Sequence, residues 1–233
     1  MEPAGGMTET PPHAPPHPAS ARLWLCLDRA ALDARSMLAR ARAILENVDH
    51  EFTVALWLRG LSSVPTAEAL ALALDARALA HASHAPLVVG ERADLALLAR
   101  ADGLHVTGRS PDATELSRFF EGRADPPIAL SAPVHDPAEV DARAPACAVL
   151  LASPFGPVPE KGPPLGPAGL TALLARAPAR TFVALGGIDD ARSATEALAA
   201  GAHALAVRRP ILHPDPLARL ASVLHALRSA PVP

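Results

Sequence analysis

Gly186-Gly187-Ile188-Asp189 is the first place in this chain where chemistry is readable. Glycine has no side chain to obstruct an anion, so backbone N–H groups can approach a phosphate, and a helix starting directly afterwards adds its positive end. One apolar run further on, Arg208-Arg209 supplies two fork-shaped cations of the kind that hold phosphate oxygens. Taken singly, the glycines read as an ordinary tight turn and the arginines as a solvated loop; their joint placement favours a phosphate cup. Residues 152–166 form a proline- and glycine-rich stretch, long enough to shape a lid, that carries Ser153 and the isolated cation Lys161. Such a lysine can neutralise a departing diphosphate, although read alone it is a solubilising loop residue. His105 and His135 each close an apolar run, where an imidazole either handles a proton or simply packs.

Those loops need elements to hold them. From Arg22 onward, short apolar runs alternate about eight times with stretches whose leucines and alanines recur at helical spacing. The pattern predicts strands at 23–27, 52–58, 87–89, 103–106, 128–130, 148–151, 182–185 and 204–207. Helices are expected at 30–45, 66–82, 95–101, 112–120, 167–175, 189–200 and 214–227, with Asp112 to Glu115 as a capping box. The strands are nearly continuous apolar runs, as expected where helices cover one sheet face and a packed barrel interior the other. A closed (β/α)8 TIM barrel over residues 21–233 is therefore the expected fold, with an open doubly wound sheet as the alternative. In a barrel the candidate loops share one end, since ligands sit at the C-terminal strand ends.

Composition narrows the partners. Half of the 233 residues are hydrophobic, enough for one domain's core. A net charge of -3, from 21 basic and 24 acidic residues without a block of one sign, gives no footing for nucleic acid or an anionic membrane. Residues 1–20 are proline-rich and lack an apolar stretch, so they read as a disordered tail rather than a signal peptide or span, with His13 and His17 solvated. Cys26 and Cys147 lie inside apolar runs and read as buried reduced thiols, which sets a cytoplasmic expectation. Oligomeric state is left open.

Three stretches together resemble the thiamine phosphate synthase/TenI family. They are Gly103-Leu-His105, the loop from Ser153-Pro154 through Lys161 to Gly166, and Val183-Ala-Leu-Gly-Gly-Ile188 with Ala200-Gly-Ala-His-Ala-Leu-Ala-Val207. The resemblance implies a (β/α)8 barrel that joins a pyrimidine methyl diphosphate to a thiazole phosphate with magnesium, or, in TenI-type members, isomerises a thiazole carboxylate phosphate. It implies that Gly186 and Gly187 hold thiazole phosphate and that Lys161 meets the pyrimidine diphosphate. Arg59 matches the arginine of the family's Gln-Leu-Arg-x-Lys motif, with Trp57 and Leu61 in place of its polar flanks. Glu91, in Gly90-Glu91-Arg92, takes the place of one magnesium carboxylate. The second aligns with Ser110, so Asp112 is the carboxylate that would have to serve. His135, in Pro133-Val134-His135, keeps the histidine of the family's Ser-x-His without the serine. The expectation is thus a synthase-like transferase with Lys161, Arg59 and His135 as catalytic residues. Gly186, Gly187, Arg208, Arg209 and Ser153 would bind phosphate, and Glu91 and Asp112 magnesium. A TenI-like tautomerase and a non-catalytic phosphate-ligand barrel that has lost pyrimidine recognition are the alternatives.

Overall fold

The computed structural model describes residues 16–48, 52–124, 127–159 and 161–231. Strand β1 (Ala21–Asp28) is followed by α1 (Ala34–Asn47), β2 (Thr53–Arg59), α2 (Thr66–Ala82), β3 (Leu87–Gly90), α3 (Ala93–Leu98), β4 (Gly103–His105) and α4 (Ala113–Phe120). The second half continues with β5 (Ala129–Val134), α5 (Pro137–Arg143), β6 (Val149–Ala152), α6 (Gly166–Arg176), β7 (Thr181–Leu185), α7 (Ala191–Ala199), β8 (Ala204–Val207), α8 (Arg209–Leu212) and α9 (Pro216–Ser229). All neighbouring strands are parallel, and β8 returns to β1 with Trp24 opposite Ala206, closing the barrel. Closure sets aside the open-sheet alternative.

The apolar runs are explained by two cores. Alternate residues such as Leu23, Leu25, Leu56 and Leu58 face outward under the helices, while Trp24, Cys26, Trp57, Val88, Leu151 and Val183 fill the interior. Alternation along each strand produces this division, because successive side chains leave opposite faces. Two indoles fit inside because Ala55, Ala204 and Ala206 are small; Trp24 and Trp57 meet edge to face at 6.5 Å. Both indole N–H groups are buried without an acceptor among the described residues.

Three local expectations shift. Residues 29–33 turn rather than begin a helix, because the Ala31 and Leu32 N–H groups return to the Asp28 carbonyl, and α1 starts only after Asp33 caps it through Ser36 N–H. The short helices α5 and α8 went unrecognised, because α5 buries a single residue, Val140, and α8 is one turn, so neither displays an apolar period. Of the proposed tail, residues 1–15, with His13, lie outside the described residues. Pro18–Ser20 form a 3-10 turn capped by the His17 imidazole, and the Ala19 carbonyl accepts from Thr181 Oγ1 under the barrel. His17 therefore has a hydrogen-bonding role that its proline-rich surroundings did not suggest. Cys26 and Cys147 are free buried thiols, each pushed up to about 11 by burial. Among the described residues no helix is long and apolar enough to cross a membrane.

Candidate active site

The C-terminal strand ends bring Asp28, Arg59, His105, Ser153, Leu185 and Arg208 around one mouth. Two adjoining cavities open there. One, of about 440 Å³, is bounded by Gly186, Gly187, Asp189, Arg208 and Arg209; the other, of about 390 Å³, by Trp57, Glu91, His105, Thr107, His135 and Ser153. Arg59, Lys161 and Leu185 line both. A larger hollow of about 790 Å³ lies elsewhere, along α2 and α3, around Leu74, Arg77 and Leu98, away from the strand ends.

Gly186 and Gly187 both have left-handed backbones, at φ +88° and +73°. The conformation favours glycine, and packing makes the demand stricter: a Cβ on Gly187 would sit 2.6 Å from the Gly156 Cα. The lid is stitched to this turn by the Phe155 N–H to the Leu185 carbonyl and the Gly156 N–H to the Gly186 carbonyl, at 2.9 and 2.8 Å. At its far end, Leu165 N–H and Gly166 N–H return to the Pro154 and Phe155 carbonyls. The proline-rich loop is thus a fixed wall that delivers Lys161 to the cavities, with Lys161 Nζ donating to the buried Ser153 hydroxyl at 3.3 Å. Burial, then the Arg59 and Arg208 guanidiniums, hold the Lys161 pKa below the ordinary lysine value.

The two arginines after β8 are already tethered. Arg208 Nε meets Asp28 Oδ2 at 2.9 Å, and Arg209 pairs with Asp189. Arg59 Nε lies 3.7 Å from the same Asp28 oxygen, and its guanidinium sits over the Trp57 ring at 5.4 Å. Sequence reasoning missed Asp28. Its signal was a single carboxylate closing the apolar run of β1, and in a barrel a charged residue at a C-terminal strand end faces the ligand.

The histidines separate. His135 is exposed and lines the 390 Å³ cavity, with Nδ1 2.7 Å from Glu139 Oε2, which fixes an N–H on Nδ1. His105 is buried beneath Trp57, the ring centroids 4.5 Å apart, with Nδ1 3.1 Å from Ser131 Oγ. Ser131 Oγ–H donates in turn to the Leu104 carbonyl at 3.4 Å, so the imidazole donates from Nδ1. Burial, reinforced by Arg59, lowers its pKa to about 3, and His105 stays neutral.

The two carboxylates expected to share magnesium are not brought together. Glu91, on a left-handed backbone at φ +63°, lines the 390 Å³ cavity and accepts from Thr107 Oγ1 at 3.3 Å. Asp112 is outside the lining of both cavities; it caps α4 by accepting from Thr114 N–H at 2.8 Å. Ser110 is turned back onto Thr107 N–H. Among the described residues no three His, Cys, Asp or Glu side chains cluster to hold a metal. Leu61 also leaves the site, packed in the outer core, whereas Trp57 takes part in the cavity lining. Arg109, Ser62 and Thr107 are further lining residues without a sequence signal of their own.

Comparison with known proteins decides the family. Residues 28–211 match the family described as thiamine monophosphate synthase. The chain belongs to that family. The thiamine monophosphate synthase match contains every residue of the 390 Å³ cavity, and all but Cys26 of the other. The chain is 32% identical over 197 residues to the thiamine-phosphate synthase of Roseiflexus castenholzii, covering 83% of this chain and 82% of that one. It is 36% identical over 165 residues to the thiamine-phosphate synthase of Deinococcus radiodurans, covering 69% of this chain and 55% of that relative's length. In fold it is similar to a thiamine phosphate pyrophosphorylase of Pyrococcus furiosus, with a TM-score of 0.75 at 22% identity over 90% of this chain and 96% of that one. It is also similar in fold to a FabK variant of Thermotoga maritima, with a TM-score of 0.62 at 14% identity over 84% and 66% of the two chains.

Proposed function

We propose that this chain is a thiamine phosphate synthase that joins a hydroxymethylpyrimidine diphosphate to a thiazole phosphate and releases diphosphate. The observation that carries this reading is the pair of cavities sharing Arg59 and Lys161. Two phosphorylated small molecules can lie side by side there, with their anionic groups facing the same cations. The thiazole phosphate belongs against Gly186 and Gly187, where backbone N–H groups and the tethered Arg208 and Arg209 meet its oxygens. The pyrimidine diphosphate belongs in the second cavity, its leaving group toward Lys161 and Arg59.

The reaction breaks the bond between the pyrimidine methylene carbon and the diphosphate oxygen, the electron pair leaving with diphosphate. The thiazole supplies the pair for the new bond. No protein nucleophile is required; positioning and charge neutralisation carry the rate, and Lys161, fixed by the lid and Ser153, is placed to do both. Glu91 and the Thr107 hydroxyl form an oxygen set that fits magnesium held through one carboxylate, with water and phosphate oxygens completing the shell. When bound, that cation would neutralise diphosphate charge. Asp112 is left to its cap.

Mass spectrometry of a mixture of the two substrates with magnesium tests the reading. Thiamine phosphate is expected, with Lys161→Ala lowering turnover by about 10²–10³ and Glu91→Ala abolishing magnesium dependence. Absence of product with folded protein would sink it. A second reading, a TenI-like tautomerase, is favoured by one observation: His135, backed by Glu139, is an imidazole arranged to shuttle a proton at the mouth. That activity would proceed without magnesium and fail in His135→Ala.

A further inference from the structure

We propose that Asp28 is a positioning residue that holds Arg59 and Arg208 by their Nε edges and damps their charge, thereby setting how readily the site releases an anion. Its carboxylate is buried at the end of β1, while the two arginines it meets come from the ends of β2 and β8. One oxygen takes both guanidiniums, at 2.9 and 3.7 Å, and the other accepts the Ala30 N–H at 3.2 Å. The surroundings are built around it: Gly60, at φ +74°, leaves space where a Cβ would lie 2.8 Å from Asp28 Oδ1. Contact through Nε leaves the rest of each guanidinium available, and the arginine side chains remain 44% and 47% exposed.

Arg59, Lys161, Arg208 and Arg209 line the same cavity, and Asp189 is already paired with Arg209. Without Asp28, Arg59, Lys161 and Arg208 would hold an anion in a cavity whose own carboxylate, Asp189, is already committed to Arg209, leaving Glu91 of the adjoining cavity as counter-charge. With it, the departure of an anion, diphosphate from Arg59 or the phosphorylated product from Arg208, leaves a guanidinium that already has a counter-ion, so release does not strand bare charge in a partly buried site. The product-release consequence rests on the synthase reading; the effect on anion affinity does not.

Asp28→Asn preserves shape and an acceptor oxygen while removing the charge. Isothermal titration with inorganic pyrophosphate, at low salt and without metal, is expected to give about tenfold tighter binding to Asp28→Asn than to the wild type, from loss of one unit charge a few ångströms from the anion. Arg208→Gln is expected to weaken binding, and in Asp28→Asn/Arg208→Gln the gain from the Asn substitution should shrink, a coupling that a merely structural Asp28 would not produce. Steady-state turnover in Asp28→Asn should fall with an unchanged or lower KM. If Asp28→Asn does not melt cooperatively, Asp28→Ser gives the same comparison. Unchanged or weaker pyrophosphate binding by a folded variant overturns the inference. Tighter binding in a protein that makes no thiamine phosphate would support the inference while the synthase reading fails.

Discussion

Gly187 packs so closely on Gly156 that a Cβ at position 187 would stand 2.6 Å from the Gly156 Cα, in a turn whose φ is +73°. The phosphate turn and the lid are consequently one unit. Gly187→Ala must push the lid backbone away as well as strain its own, a combined cost of about 3 kcal/mol. Thermal unfolding should show the loss of stability, and pyrophosphate titration a loss of affinity because Lys161 moves with the lid. A wild-type Tm and affinity for this variant would refute the coupling.

Trp57 gives a contrast between volume and polarity. Its ring fills the barrel interior, but its N–H is buried without an acceptor among the described residues. Trp57→Ala should destabilise by about 3–5 kcal/mol through the cavity it leaves. Trp57→Phe removes the unpaired donor along with some volume, and the two effects offset to within about 1.5 kcal/mol. Urea unfolding of both variants separates them; a Trp57→Phe loss well beyond that range would mean that the indole N–H is satisfied.

The fold was legible in the sequence because the strands are largely buried on both faces and the helices on one, so eight apolar runs and seven helical periods reported the alternation. Two elements were missed: α5, which buries only Val140, and α8, a single turn, so neither carries a period. Within the site, the cations and glycines were readable because paired glycines and paired arginines follow apolar runs and Lys161 is the chain's single lysine. Asp28 and the separation of Asp112 from Glu91 were not readable, since both depend on where loops turn in space. Asp112 in particular announces a helix cap and a metal ligand with the same side chain.

Lys161 should impose an alkaline limit. Its pKa lies below the ordinary 10.5, so the cation is complete below that lowered value and is lost as pH rises through it. Pyrophosphate affinity should therefore begin to fall at a lower pH than for a free lysine. Lys161→Arg, whose charge persists, should move that limb upward. A limb that does not move assigns the titration to another group.

Helix caps contribute to the acid limit of the fold. Asp33, Asp112 and Asp190 accept backbone N–H bonds from Ser36, Thr114 and Ser193, which lower their pKa values below 3.8. Their contribution is present above the ordinary carboxylate value and is lost as pH falls through the lowered ones. Asp112→Asn, which keeps an acceptor, should preserve Tm and magnesium response at neutral pH, while Asp112→Ala lowers Tm. A magnesium response lost in Asp112→Asn would restore that residue to the metal site.

The most direct measurement is the stoichiometry of a single turnover, with enzyme in excess over pyrimidine diphosphate, saturating thiazole phosphate and magnesium, and both products quantified. Thiamine phosphate and inorganic diphosphate should appear together, one for one, with both suppressed in Lys161→Ala. Diphosphate without thiamine phosphate, or neither product from folded protein, would contradict it.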